Sequence, residues 1–287
     1  MRLFRHPPWL ILLVVLLACN STLVLAAEPL IMGVFPRRNA TTTYQMFTPL
    51  TNYLATHLGR PVRLITSKDF PSFWQLVERE ELDLVHFNQL HYLRAHHAHG
   101  YNALAMNEEF GSSTIRGALV VRRQSGITHL SDLRGKTIIF GGGRSAMMSY
   151  VLPMHLLANA GLYKKDFTTR FAVNPPNAVL ALVHKQAEAA GTGDVILNLP
   201  TVRSRVNTDD LTILARSAPV PHLPWATRGS MAPALRDQLR NILTTMKQDK
   251  NGGKVLQHAM LTNFISANDA SFDPHREIVK QVLGEDL

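Results

Sequence analysis

The chain has 287 residues, 46% of them apolar, with 30 Lys and Arg against 21 Asp and Glu, for a formal net charge of +9. This composition excludes a disordered chain and a protein of many membrane spans, and the length accommodates two lobes with separate cores. Positive charge attracts anions of every size, but net charge is not a site, and no nucleic-acid partner is expected.

Arg2 and Arg5 precede an unbroken apolar stretch from Trp9 to Ala18, shorter than the roughly 20 residues a bilayer span needs. Polar Asn20, Ser21 and Thr22 follow, and Val24-Leu25-Ala26 fits the small-residue rule for cleavage before Ala27. Residues 1–26 therefore read as a signal peptide. A rival reading takes Leu16-Leu17-Ala18-Cys19 as a lipobox that puts a lipid anchor on Cys19, although apolar Leu23-Val24-Leu25 would make a poor tether. Both readings send the protein to the periplasm. Cys19 is the only cysteine, so a chain that starts at Ala27 has no disulfide, zinc-thiolate site or cysteine nucleophile.

Strand and helix patterns then alternate. Leu30 to Val34 reads as a buried strand, Met46 to Leu58 as a helix ended by Gly59, and Val62 to Ile65 as a strand. Phe73 to Glu80 is predicted helical, Leu82 to Val85 a strand, and Asn88 to His99 a helix stopped by Gly100. Ala118 to Val121 is a strand, Leu130 to Leu133 a short helix, and Thr137 to Phe140 a strand that runs into three glycines. A helix to Ala160 follows, then strands at Arg170 to Val173 and Asp194 to Leu197 with a helix from Asn177 to Gln186 between them. This alternation predicts an α/β protein of mainly parallel sheets with helices on both faces.

Ligands of such sheets sit beyond the carboxyl ends of strands. The candidate binding residues are therefore Arg37, Phe70, His86, Asn88, Gly142, Gly143, Ser145, Ala146, Asn174, Asn177 and Asp194. The sharpest motif is Phe140-Gly141-Gly142-Gly143-Arg144-Ser145. A glycine turn from strand into helix exposes backbone N–H groups at the positive end of a helix dipole, where oxyanions bind. The same residues also suit a plain tight turn with Ser145 capping the helix. The motif is neither a Walker loop nor a dinucleotide fingerprint. No Ser-His-Asp signature and no acid–base carboxylate pair is present. His91, His96, His97 and His99 read as surface residues, with His86 alone in the cleft, and neither a metal nor a cofactor is expected. Met147 and Met148 read as core or cleft lining.

The chain resembles the periplasmic phosphonate/phosphite/phosphate-binding proteins of ABC transporters. The resemblance rests on Gly33-Val34-Phe35-Pro36, Pro49 to Leu54 with Gly59-Arg60-Pro61-Val62, and Glu81-Leu82-Asp83-Leu84 leading to Tyr92. It continues through Ser125-Gly126-Ile127, Leu130 to Lys136, Asn177-Ala178, Gln186 to Ala190, Arg216 to Pro221 and Asp273-Pro274. It implies a type II periplasmic-binding (Venus-flytrap) fold whose lobes close on a small oxyanion. Lobe 1 would be 27–117 plus 217–287, and lobe 2 would be 118–216. The implied partner is a membrane permease, or a two-component histidine kinase if the protein senses rather than transports, and the protein would be a monomer without enzymatic activity. Departures bear on the ligand: Ser145-Ala146-Met147-Met148 stands where the family presents a Ser-Thr-Ser run. Phe70 lacks the family's phenol, Ile115 precedes Arg116 at a tyrosine position, and Asn174 replaces a histidine. Arg116 is the candidate charge partner from the crossover, and a small or more apolar oxyanion is expected.

Overall fold

The computed structural model describes residues 28–287. The expected signal peptide, its expected cleavage site before Ala27, and Cys19 lie outside the described residues. The first sheet is built from β1 (Leu30–Val34), β2 (Val62–Ile65), β3 (Leu84–His86) and β4 (Asn102–Glu108), joined late in the chain by β12 (Pro224–Thr227) and β13 (Asn263–Ser266). Its order is β13-β4-β12-β3-β1-β2. Two short strands, β5 (Thr114–Ile115) and β11 (Val220–Pro221), pair antiparallel and carry the chain out and back. Between them lies a second sheet of β6 (Gly117–Arg122), β7 (Thr137–Gly141), β8 (Thr168–Ala172), β9 (Ala189–Gly193) and β10 (Leu211–Arg216), in the order β10-β6-β9-β7-β8.

Both sheets are mixed. Strands β1, β2 and β3 run parallel, as do β7, β8 and β9, each set connected through helices as parallel pairing requires. Strands β4, β6, β10, β12 and β13 pair antiparallel to their neighbours. These directions put the site together. Strand β12 is antiparallel to both β3 and β4, so β1, β3 and β4 all end on the edge from which the chain leaves. In the second sheet β6 starts at the crossover and β9 is antiparallel to it, so β9, β7 and β8 end at the crossover edge. The carboxyl edges of the two sheets meet at the crossovers. Open α/β sheets bind their ligands at such edges.

Among the described residues nine α-helices cover the sheets: α1 (Ala40–Leu58), α2 (Phe70–Glu78), α3 (Gln89–His99), α4 (Leu152–Asn159), α5 (Pro175–Val183), α6 (Pro200–Arg203), α7 (Pro233–Thr245), α8 (Lys250–His258) and α9 (Asp273–Leu283). Two begin earlier than the apolar periodicity predicts, because polar caps start them. Asn39 accepts from the Thr42 N–H at 2.9 Å, and Asp69 accepts from Ser72 at 2.8 Å with Pro71 in the first turn. Each such cap contributes about 1 kcal/mol. The strand predicted at Asp194 to Leu197 is a correction: the strand is β9, made of small residues, and Ile196–Asn198 is a 3₁₀ turn. Helix α9 lies against both α3 and α4. Arg94 on α3 grips Glu285 with bonds of 2.8 and 2.6 Å, and Gln281 donates to Asn159 at 3.0 Å.

Candidate functional site

At the second-sheet edge, β7 ends in Gly141 and the chain turns through Gly142, whose φ of +109° is costly for any residue with a Cβ. The Gly142 N–H donates to Ala172 O at 2.8 Å, and the Ala146 N–H donates to Gly143 O at 2.9 Å, so these two donors are spent on the turn. The N–H groups of Gly143, Arg144 and Ser145 meet no acceptor among the described residues. A π-helical segment, Met147–Val151, then feeds α4. Helix starts leave their first N–H groups unpaired, and π segments recur at functional sites.

Ser145 does not cap this helix. Ala146 occupies the cap position and makes no side-chain bond, while the buried Ser149 hydroxyl donates back to Gly141 O. Close packing explains the glycine before the turn, since a Cβ on Gly141 would fall 2.5 Å from the Pro175 nitrogen. That proline opens α5, whose start shares this edge: Asn174 Oδ1 accepts from the Asn177 N–H at 3.0 Å. Asp194 follows β9, with its N–H bonded to Arg116 O at 3.2 Å and its carboxylate unpartnered among the described residues. The Met148 thioether lies over Gly193, where a Cβ would sit 2.5 Å from the sulfur.

The first-sheet edge is made of side chains already bonded to one another. Arg37, just beyond β1, makes two bonds to Glu109, of 2.6 and 3.2 Å. Glu109 begins the outward crossover and also accepts from Asn107 Nδ2 at 3.0 Å. His222, on the return crossover, points Nε2 at Glu109 Oε2 across 3.8 Å. His86, ending β3, stacks on Trp225 at 4.5 Å with the rings 5° apart. Donor chemistry fixes two tautomers. Trp225 Nε1, a donor only, bonds Asn107 Oδ1 at 2.8 Å, so the Asn107 amide NH₂ faces His86 Nε2 at 3.2 Å. His86 therefore carries its proton on Nδ1, which has no partner. The Leu223 N–H bonds His222 Nδ1, which leaves the proton on Nε2, facing Glu109.

Burial, reinforced by Arg37, pushes the His86 imidazole down to about 3. Burial likewise pushes His222 down to about 4, although Glu109 opposes the shift. Burial alone would raise the Glu109 carboxyl, but Arg37 leads the groups that more than offset it and hold it at about 2. At neutral pH the cluster is thus one cation, one anion and two neutral histidines. Beside it Phe70 lies 5.8 Å from Phe35 and stacks on His91 at 4.9 Å.

All the predicted residues fall on these two edges or on the crossovers, but not all with free groups. Arg37, a candidate binding residue, is bonded to Glu109. Gly142 and Ala146 spend their N–H groups internally. Asn88 and Asn174 use their side-chain oxygens as helix caps, with Asn88 accepting from Leu90 at 3.1 Å. Arg116, half-buried between β5 and β6, donates to Ser217 O at 3.2 Å and so ties the two crossovers. His91 is 9% exposed and stacks on Phe70, so it is no surface histidine, and His96 pairs with Asp269 at 3.3 Å. No local pattern marks Asn107, Glu109, His222 or Trp225. Their approach depends on β4 and β12 pairing across more than a hundred residues, and only the run Pro221-His222-Leu223-Pro224 hints at a constrained segment. Among the described residues no three His, Cys, Asp or Glu side chains are grouped to hold a metal, and no helix is long and apolar enough to cross a membrane.

The sequence pattern of the family described as "ABC transporter, phosphonate, periplasmic substrate-binding protein" matches residues 32–272. The structure is similar to XAC2383 of Xanthomonas citri, solved with ATP, at a TM-score of 0.78 and 22% identity, covering 90% of this chain and 98% of that one. PhnD1 of Prochlorococcus marinus, solved with methylphosphonate, gives 0.76 and 17%, covering 90% and 99%. At these identities the likeness speaks to the fold, which is two-lobed. The tetrathionate sensor histidine kinase TtrS of Salmonella typhimurium is 27% identical over 232 residues, or 74% of this chain, and the chain spans 38% of that kinase's length. Glycine turn, paired carboxyl edges and matched family pattern agree: the chain belongs to the periplasmic substrate-binding proteins of phosphonate ABC transporters.

Proposed function

We propose that this protein captures a small oxyanion between its lobes, outside the cytoplasmic membrane, and presents it unchanged to a membrane permease. The observation that carries this reading is the turn at Gly143, Arg144 and Ser145, whose N–H groups meet no acceptor among the described residues and which follows β7 beside the start of α5. Backbone donors at helix starts suit an oxyanion, Arg116 adds positive charge from the crossover, and the unpartnered Asp194 carboxylate suits a donor on the ligand. One lobe comprises 27–117 with 217–287 and the other 118–216, hinged at β5 and β11. Export through cleavage before Ala27, or anchoring through Cys19, belongs to the same proposal. A thermal-shift screen of phosphate, phosphite, methylphosphonate and alkylsulfonates tests it, because a ligand that binds only the folded state raises Tm. Failure of every such anion to raise Tm would contradict it.

The kinase relative supports a second reading, in which the loaded protein signals to a histidine kinase. Co-purification of the ligand-bound protein with a permease or with a kinase separates the two.

A further inference from the structure

The Arg37–Glu109 pair is placed where a ligand would look for a cation. Arg37 follows β1, Glu109 opens the outward crossover, and His222 closes on it from the return crossover, so the pair sits on the floor between the lobes. Glu109 is only 11% exposed, whereas the Arg37 side chain is 40% exposed, and both terminal nitrogens of the guanidinium donate to the Glu109 carboxylate. Leaving the buried Glu109 carboxylate without its hydrogen-bonded cation is unfavourable. The neighbouring charges do not substitute for Arg37: Arg38 is turned to the Met260 sulfur at 3.7 Å, and both His86 and His222 are neutral. The apolar surface open on this side is Phe70, 37% exposed and backed by buried Phe35 and His91, with Lys68 exposed two residues before it.

We propose that Glu109 is a specificity-determining residue, which withholds the Arg37 guanidinium from the ligand so that the cleft prefers an organic oxyanion, charged at one end and apolar at the other, over inorganic phosphate. The charged head meets the lobe-2 turn and the apolar end meets Phe70. This rests on the oxyanion reading above and deepens it. Glu109→Gln keeps the shape and removes the charge, freeing Arg37 for a second anionic contact.

Calorimetry with inorganic phosphate, methylphosphonate and ethanesulfonate tests this, with the fold of each variant checked by its melting transition. The expected results are at least tenfold tighter binding of one organic probe than of phosphate by the unaltered protein, and at least tenfold tighter phosphate binding by E109Q. In E109Q/R37M the gain should disappear. Methylphosphonate against ethanesulfonate tells a phosphorus head from a sulfur head. Equal or tighter binding of phosphate by the unaltered protein overturns the proposal whether or not a variant folds, as does a folded E109Q with unchanged preference. If the folded, unaltered protein binds none of the three, the oxyanion reading itself fails and this one with it.

Discussion

At the lobe-2 edge the groups offered to an anion are backbone N–H donors, held by a glycine turn and two helix starts, with the Asp194 carboxylate near them. At the lobe-1 edge they are aromatic faces and side chains that already satisfy one another. Backbone donors are fixed once the turn is fixed, and they carry no net charge that an unladen cleft must neutralise. Side-chain charges in a half-buried floor need counter-ions, which here come from Glu109. One edge is therefore open to an anion, and the other presents shape and apolar surface. A protein that must bind and release benefits from this division, because strong ionic contacts on both sides would hold the lobes shut.

Acid should break the comparison most visibly. Burial, ahead of every other cause, pushes His86 and His275 down to about 3, and His91 and His222 to about 4. Unfolded, each titrates near 6.5. Between those values the unfolded chain binds protons that the folded chain refuses, so stability present above pH 6.5 falls as the pH drops toward 4. The loss is at most about 1.4 kcal/mol per histidine per pH unit. All four lie in the lobe of 27–117 and 217–287, His275 on α9, so hydrogen exchange at pH 5 should show lobe-1 amides losing protection before those of β7 and β9. Uniform loss, or none, would contradict this assignment of buried neutral histidines.

Changes in the turn should act on the other edge. Gly141→Val drives a side chain into the backbone of Pro175 and should cost about 3 kcal/mol in urea unfolding. Gly142→Val, at a φ of +109° with Ala146 Cβ 3.2 Å from the new Cβ, should remove measurable anion binding by calorimetry. The two serines should separate. Ser149→Ala loses the bond to Gly141 O and should lower stability by about 1 kcal/mol. Ser145→Ala should leave stability unchanged but weaken anion binding by about 1 to 2 kcal/mol, the scale of a hydrogen bond to a charged group. If Ser149→Ala weakens binding and Ser145→Ala does not, the roles of the two hydroxyls are reversed.

The lobe-2 edge was largely legible in the sequence because it is local: a strand, three glycines and a helix follow one another along the chain. The lobe-1 cluster was not. Its members are joined by pairing of β4 with β12, and nothing near Glu109 or His222 announces the other. Cap chemistry hid helix starts at Asn39 and Asp69, where threonine or proline interrupts the apolar period. Strand β9 escaped because Ala-Ala-Gly-Thr-Gly carries no β-branched apolar run, its small size being imposed by Phe140 and Met148 packed against it. Arg37 shows the limit most plainly, since its position at a strand end was readable and its counter-ion was not.

Titration of the ¹⁵N-labelled protein with methylphosphonate, followed amide by amide, tests the central claim most directly. The account predicts that the Gly143, Arg144 and Ser145 amides move furthest and saturate together, with the phosphonate recovered unchanged. Saturable binding that leaves those three amides in place, or conversion of the phosphonate to another compound, would contradict it.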